Sequence, residues 1–398
     1  MNSSLVLLCA DRVVTGVGRT VYPDGAVLVS GASIGWVGPR GSAPDTPARR
    51  VNLDGATLLP GLIDAHTHLA LDAGPDPFGA LGTLTDHQVL AAMRERAGRM
   101  LAVGITTARD LGAPARMDTV LAREIRNGHA HGPRLLTAGI PVTRPGGHGA
   151  PLGGECAGPD DAEALVRANQ KAGAQWTKVF VTGGFTTKGT SPYALQLPVQ
   201  FLAAVTALSH RLGMKVAVHA HATAGIAAAV EAGVDSIEHC TWMSADGFDL
   251  DPELITTMAA LRIVASTTVN SHARDATGRL PWTQRAAQLR ALHDHGVPLA
   301  VGTDAGIPTT AHDDLPASLP AYLDLGLDPL GVLELATSRT AKALGLHDTG
   351  ALHEGMRADV LAVEGDPTAD LSALTRPLTV LAAGTTHPTV PARKATHP

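Results

Sequence analysis

Aromatic residues are scarce in this chain, and long hydrophobic runs are absent from it. Phenylalanine, tryptophan and tyrosine make up 3% of the 398 residues, which disfavours a stacking platform for bases or sugars. No apolar stretch reaches the ~18 residues of a membrane-spanning helix. The N-terminus has no cationic start before its short apolar run, so we expect neither a membrane partner nor a cleaved secretory signal.

Cationic residues and cysteines are also few. The chain has 31 Lys+Arg against 37 Asp+Glu, and its lack of basic runs argues against nucleic acid as a partner. Cys9, Cys156 and Cys240 are far apart and odd in number, which excludes a disulfide framework and favours a reducing cytoplasm. The composition is typical of a GC-rich genome and favours a bacterial source.

Strand-like and helix-like segments alternate between residues 61 and 344. This alternation predicts a closed (β/α)8 TIM-like barrel. The predicted strands are GLIDAHTHL, ITTARDL, RLLTAGI, WTKVFVTG, MKVAVHAHA, VDSIEHC, RIVAST and PLAVGTDA.

The two ends of the chain have a different pattern of short Val/Leu/Ile runs separated by Gly, Asp and Pro. Neither end is large enough to bury a core alone. We therefore expect residues 1–60 and 345–385 to pair into one small β domain, with the barrel 61–344 inserted between them. Residues 386–398 are expected to form a flexible tail.

Histidine is abundant, with 18 copies, and several of them lie at the ends of predicted strands. His66 and His68 are two residues apart on the first barrel strand, so their side chains point to the same side. His219, His239 and Asp304 end the fifth, sixth and eighth strands. Active sites of such barrels form at the carboxyl ends of the strands, so these side chains predict a metal site.

Lys178 lies within the apolar fourth strand, where a charged amine is costly unless it is neutralised or paired. Burial lowers the pKa of a lysine and makes the free amine available for chemistry. One outcome is capture of CO₂ as a carbamate, which would turn the lysine into an oxygen ligand.

These motifs resemble those of the amidohydrolase superfamily of metal-dependent hydrolases. GLIDAHTHL, VHAHAT, IEHCT and VGTDAG match its ligand motifs in order, and DGATLLPG and EGMRADVLAVEGDP match its split β domain. The strand-four lysine followed by VFVTGG resembles the zinc dipeptidases that act on Xaa-Pro or Xaa-Arg and the ochratoxin-type amidases. Imidazolonepropionases are less similar.

The resemblance implies two Zn²⁺ ions per chain. His66, His68 and Asp304 would hold one ion. His219 and His239 would hold the other. Carboxylated Lys178 would bridge the two, with a hydroxide as the second bridge. Asp304 would also be the catalytic proton shuttle, because a carboxylate facing the substrate can accept and return a proton.

Four further residues are candidates for contact with substrate. His148, in the glycine-rich loop after strand three, is expected to be catalytic by stabilising the developing oxyanion, with a surface histidine as the alternative. Arg144 in the same loop could meet a substrate carboxylate. His221 is two residues past His219, where peptidase-like relatives often have tyrosine, so it contacts substrate or has a structural role. Tyr193 either lines the pocket or fills a loop.

The sequence therefore predicts hydrolysis of an amide bond in a small-molecule substrate such as an N-acyl amino acid or dipeptide. Hydrolysis of a cyclic amide at a single metal is an alternative that Lys178 argues against. Lactones, esters and phosphotriesters stay open, because the same hydroxide attacks other electrophiles. A barrel that only binds metal is disfavoured because all ligand positions are filled. A homo-oligomer also stays open, since barrels of this kind often pair.

Overall fold

The computed structural model describes residues 5–392, and strands and helices alternate through most of them. None of the described helices is both long and apolar enough to cross a membrane. The strands are β1 Leu5–Val14, β2 Val21–Ser30, β3 Ser33–Pro39, β4 Arg49–Pro60, β5 Leu62–Thr67, β6 Ile105–Asp110, β7 Arg134–Thr137, β8 Trp176–Phe180, β9 Lys215–Ala222, β10 Ser236–Ser244, β11 Gly247–Phe248, β12 Val264–Ser266, β13 Leu299–Ala300, β14 Val360–Glu364, β15 Pro377–Ala382 and β16 Thr385–His387. The α-helices are α1 Pro77–Leu81, α2 Asp86–Ala102, α3 Met117–Arg126, α4 Pro159–Ala172, α5 Val199–Arg211, α6 Thr223–Glu231, α7 Pro252–Leu261, α8 Trp282–Asp294, α9 Leu315–Ser318, α10 Pro329–Glu334 and α11 Thr340–Leu344.

Eight parallel strands form the barrel, in the groups β5-β6-β7 and β8-β9-β10-β12-β13. Parallel bridges between Val142 and Val179 and between Thr67 and Ala305 join the two groups and close the ring. Helices lie between most successive strands, and α6 packs against both β9 and β10. The predicted (β/α)8 barrel is confirmed, and each predicted strand segment overlaps an observed strand.

The two ends of the chain pair in one seven-stranded sheet, in the order β16-β15-β14-β4-β1-β2-β3. Strand β4 joins the halves, since it pairs in parallel with β1 and antiparallel with β14. The main buried cluster of this sheet is aliphatic, with Leu8, Val27, Leu58 and Val360 among its members. The expected small β structure built from both ends is confirmed, while its boundaries stay a prediction.

The segment expected to be a flexible tail begins within β16. Farther along, the amide of Val390 donates to the carbonyl of Ala102, and the amide of Ala392 donates to the carbonyl of Thr375. The remainder of that segment, residues 393–398, lies outside the described residues.

A single residue separates the sheet from the barrel, because β4 ends at Pro60 and β5 begins at Leu62. The residue between them is Gly61, whose amide donates to the carbonyl of Asp359 at 3.0 Å. A Cβ at this position would lie 2.1 Å from Oγ1 of Thr106, so only glycine fits. The close contact between Gly61 and Thr106 fixes the start of β5. It therefore also fixes the position of the other end of the strand, which carries the histidines.

Candidate metal centre

His66 and His68, at and just after the end of β5, meet Asp304, which follows β13. Asp304 Oδ1 lies 3.1 Å from His66 Nε2 and 3.5 Å from His68 Nε2. The two Nε2 atoms are 3.3 Å apart. Zinc ligands with bonds of about 2.0–2.1 Å in a tetrahedral arrangement are separated by about 3.3 Å. The three atoms therefore have the spacing of ligands around one ion.

A second group of ring nitrogens comes from β9 and β10. One ring nitrogen each of His219, His221 and His239 lies within 4.8 Å of the other two, and all three side chains are buried. The group contains His221, which was expected from the sequence to contact substrate. The structure thus offers a third nitrogen beside the two expected ligands.

Neighbouring groups hold one nitrogen of each of these three rings. His219 Nε2 lies 3.1 Å from the carbonyl of Gly183, and His239 Nδ1 lies 3.1 Å from Thr268 Oγ1. His221 Nδ1 lies 3.0 Å from Thr241 Oγ1. Contacts of this kind orient an imidazole and leave its second nitrogen for a metal ion.

Lys178 lies in β8 and is fully buried, and its Nζ has no hydrogen-bond partner. Burial lowers the pKa of this amine to about 8, against the opposing charges of Glu238 and Asp304. The lysine charge also acts on His68 from the first group and on His219 from the second. A buried amine without an acceptor is rare in folded proteins. Its isolation therefore indicates that another group belongs beside it.

A buried carboxylate behind the first group was missed from the sequence. Glu238 Oε2 lies 2.8 Å from His66 Nδ1, and Arg109 Nη2 donates to Glu238 Oε1 at 2.8 Å. Burial alone would raise the Glu238 pKa, but Arg109 and His66 hold it well below its usual range. The ionised Glu238 turns His66 so that Nε2 faces Asp304. The sequence did contain a signal for this pair, since Arg109 and Glu238 are charged residues inside two of the predicted barrel strands.

Three residues of the site have left-handed backbone, which is costly for residues other than glycine. The φ angles are +68° at His239, +43° at Thr268 and +63° at Asp304. Arg285 holds part of this backbone, because its guanidinium donates to the carbonyls of His239 and Thr267, both at 2.6 Å. Arg285 was not identified from the sequence, since α8 gives no sign of which carbonyls it reaches.

His148 is buried with its ring 4.6 Å from that of His219, not exposed on a surface loop. Its Nδ1 lies 3.0 Å from Thr187 Oγ1, which accepts from the amide of Gly149 at 3.2 Å. The Thr187 hydroxyl can donate to Nδ1, and in that tautomer the ring proton lies on Nε2. Burial lowers the His148 pKa to about 4, so the ring is neutral at physiological pH.

Arg144 and Tyr193 do not meet the other predicted residues. Arg144 is exposed, and 39% of the Tyr193 surface is exposed. Neither lines the cavity above the metal-ligand candidates. The pattern of strands does not determine the conformation of their loops. In the structure, neither side chain reaches the cavity in which a ligand would bind.

The candidate ligands open into a cavity of about 350 Å³. His68, His148, His219, His221, His239 and Asp304 line it. The rest of the lining comes largely from apolar side chains of the loops that follow the strands. Small-molecule sites are typically concave, largely apolar and lined by a few convergent polar groups.

Comparisons with known proteins agree with this architecture. The Amidohydrolase family model matches residues 57–386. The chain is 26% identical over 423 residues to ochratoxinase from Aspergillus niger, covering 95% of this chain and 85% of that protein. It is 30% identical over 393 residues to imidazolonepropionase from Cereibacter sphaeroides, covering 89% and 92%.

A solved structure is also similar over nearly the whole chain. It is a Xaa-Pro dipeptidase with bound methionine in its active site, with a TM-score of 0.86 and 26% identity over 97% of this chain and 100% of that one. The family is metal-dependent, and the histidine clusters described above supply candidate ligands. The chain therefore belongs to the amidohydrolase family and is a hydrolytic enzyme that acts on carbon–nitrogen bonds.

Proposed function

We propose that this enzyme hydrolyses an amide bond of a small molecule at a centre of two zinc ions bridged by carboxylated Lys178. His66, His68 and Asp304 would hold one ion. His219 and His239 would hold the other, with His221 beside them to contact either the ion or the substrate. The proposal rests on one observation: two groups of ligand atoms face one cavity, and the charge of a buried amine without a hydrogen-bond partner acts on members of both groups.

Lys178 fits the bridging role by its chemistry. A neutral amine attacks CO₂, a nitrogen–carbon bond forms and one proton is released, which leaves a carbamate with two oxygens. Because burial lowers the Lys178 pKa to about 8, a useful fraction of the amine is neutral near physiological pH. When bound, zinc would polarise the scissile carbonyl and lower the pKa of water toward neutrality.

Asp304 is placed to move the proton. Burial alone would raise its pKa, but His66, His68 and Lys178 hold that pKa well below its usual range. Its carboxylate is therefore ionised and faces the cavity, where it can take a proton from the attacking water and give it to the leaving nitrogen. His148 is neutral, and its tautomer with the proton on Nε2 can donate a hydrogen bond to the carbonyl oxygen as negative charge develops.

Chelation and reconstitution test the proposal. Protein purified without chelators should cleave small amides, lose that activity with a chelator and recover it with Zn²⁺. The Asp304→Asn variant should bind substrate but turn it over about 1000-fold more slowly, because it lacks a proton shuttle. Normal turnover by that variant would contradict the assignment of Asp304. Cleavage of cyclic amides or lactones alone would instead favour the alternatives considered from the sequence.

A further inference from the structure

The walls of the cavity differ from what an N-acyl amino acid or dipeptide would require. Such a substrate carries a carboxylate next to the scissile bond, and burying that charge is costly without a paired cation. A site that binds it tightly is therefore expected to place a free arginine or lysine within reach. No lysine of the described residues lines this cavity, and its one arginine is engaged with backbone carbonyls, which leaves His272 as the lining side chain, apart from the candidate ligands and His148, that could pair with a carboxylate.

Most of the wall is apolar. It combines aliphatic and aromatic groups from the loops after β5, β8, β12 and β13, and Trp282 from the start of α8. Side chains of this type include Leu71, Phe78, Phe185, Leu280, Trp282 and Ile307.

Within residues 5–392, Arg285 is the one arginine or lysine that lines the cavity, and both of its terminal nitrogens donate to backbone carbonyls. Nη2 donates to the carbonyls of His239 and Thr267, and Nη1 donates to the carbonyl of Cys240 at 3.0 Å. The residue is 4% exposed. Moving this guanidinium to a substrate would leave three buried carbonyls unpaired and release strained backbone at His239.

Three of the polar side chains in the lining are engaged with neighbouring protein groups. Asn270 donates from Nδ2 to Thr310 Oγ1 at 2.9 Å, and its Oδ1 accepts from the amide of His272. Thr241 and Thr268 contact the rings of His221 and His239. Arg144, the residue expected from the sequence to meet a carboxylate, is exposed and outside the cavity.

We propose that the site takes an uncharged amide with apolar groups on both sides of the scissile bond, and rejects amides that carry a carboxylate beside it. N-acyl arylalkylamines and anilides belong to this class. The inference rests on the proposed function and narrows it, since it replaces the N-acyl amino acid or dipeptide expected from the sequence.

A matched pair of substrates tests the inference on the zinc-loaded enzyme. N-acetylphenethylamine and N-acetylphenylalanine share the acyl group and the aromatic leaving group, and differ by a hydrogen in place of the carboxylate. We expect kcat/KM to be at least about 100-fold higher for the neutral amide, because the acid must bury an unpaired charge. Equal or faster cleavage of the acid would overturn the inference.

Binding separates this inference from the proposed function. Calorimetric titration of the Asp304→Asn variant should show binding of the neutral amide and much weaker binding of the acid. If the neutral amide binds selectively and the parent cleaves neither compound, the cavity inference is supported and amide hydrolysis is overturned. If only the acid binds, the cavity inference is overturned.

Phe185 offers a gain-of-function variant, because it lines the cavity and is 45% exposed, so a longer polar side chain fits without unfolding the core. Phe185→Arg should raise kcat/KM for the acid about tenfold by supplying a cation, whereas the control Phe185→Leu should not. Exposed Arg279, whose guanidinium lies 5.9 Å from the Phe185 ring centroid, is the competing cation. A preference for the acid that Arg279→Ala abolishes would contradict the proposal.

Discussion

The seven-stranded sheet and the carboxyl end of the barrel bury side chains of different kinds. The main core of the sheet is built from aliphatic residues such as Leu8 and Leu58. The barrel end buries histidines, Asp304 and an unpartnered Lys178, and places residues such as His239 in left-handed backbone. The first arrangement is stable through burial alone, whereas the second is costly until a ligand satisfies it.

Because of this difference, we expect substitutions in the sheet to affect mainly stability and substitutions at the barrel end to affect mainly activity. Removing an apolar side chain from the sheet should cost stability and leave the chemistry intact. Removing a polar side chain from the barrel end should cost chemistry, and can increase the stability of the metal-free protein.

Lys178→Met should have the largest effect. Activity should fall by about 1000-fold or more, because the variant lacks the amine that the proposed bridging carbamate requires. The metal-free variant should nevertheless unfold at a higher temperature than the metal-free parent, since a buried unpaired amine is replaced by an apolar chain of similar length. Calorimetry on chelated samples measures the second effect, and a lower unfolding temperature would contradict it.

Leu58→Ala should have the reverse outcome. The side chain is fully buried in the sheet core, so its removal should lower the free energy of unfolding by about 2–5 kcal/mol. Denaturant unfolding gives this value. The kcat of the folded fraction should stay that of the parent, and a large fall in kcat would show that the two regions are coupled.

Glu238→Gln should weaken metal binding while keeping the shape of the site. A neutral amide holds His66 less firmly than the carboxylate does, so affinity for zinc should fall by about 10–100-fold. Competition with a chelator of known affinity measures this change. The variant also leaves Arg109 without its charge partner, so Arg109→Met combined with Glu238→Gln serves as the control for simple destabilisation.

The smallest expected effect is that of Asp118→Asn, which should change how the stability of the fold depends on pH. Its carboxylate accepts from the amides of Ala138 and Gly139 just after β7, and burial raises its pKa to about 6. Between about pH 4 and 6 the folded state then holds more protons than the unfolded state, so this carboxyl lowers stability as pH rises. Asp118→Asn does not titrate. Its unfolding temperature relative to the parent should therefore increase by roughly 3 °C from pH 4 to 7.

The sequence predicted the barrel and the end at which its site lies. His66 and His68 could be located because strand alternation puts them on one side, and the strand ends of His219, His239 and Asp304 follow from the barrel topology. These are properties of local pattern and of parallel strands. They require no knowledge of side-chain conformation.

Other features depend on contacts between distant segments and could not be predicted from the sequence. The pairing of Glu238 with Arg109 exists only once β6 and β10 face each other inside the closed barrel. Arg285 reaches from α8 to carbonyls in β10 and just after β12. Arg144 and Tyr193 lie in loops whose conformation is set by packing, so their distance from the cavity could not be read from spacing.

The metal content of the parent and of Lys178→Ala tests the two-ion centre most directly. Elemental analysis of protein purified without chelators and reconstituted with zinc and bicarbonate should give about two zinc ions per parent chain. Lys178→Ala should hold about one ion or fewer, because it cannot form the proposed carbamate bridge. A parent with a single ion, unchanged in Lys178→Ala, would contradict the account and reduce Lys178 to a structural side chain.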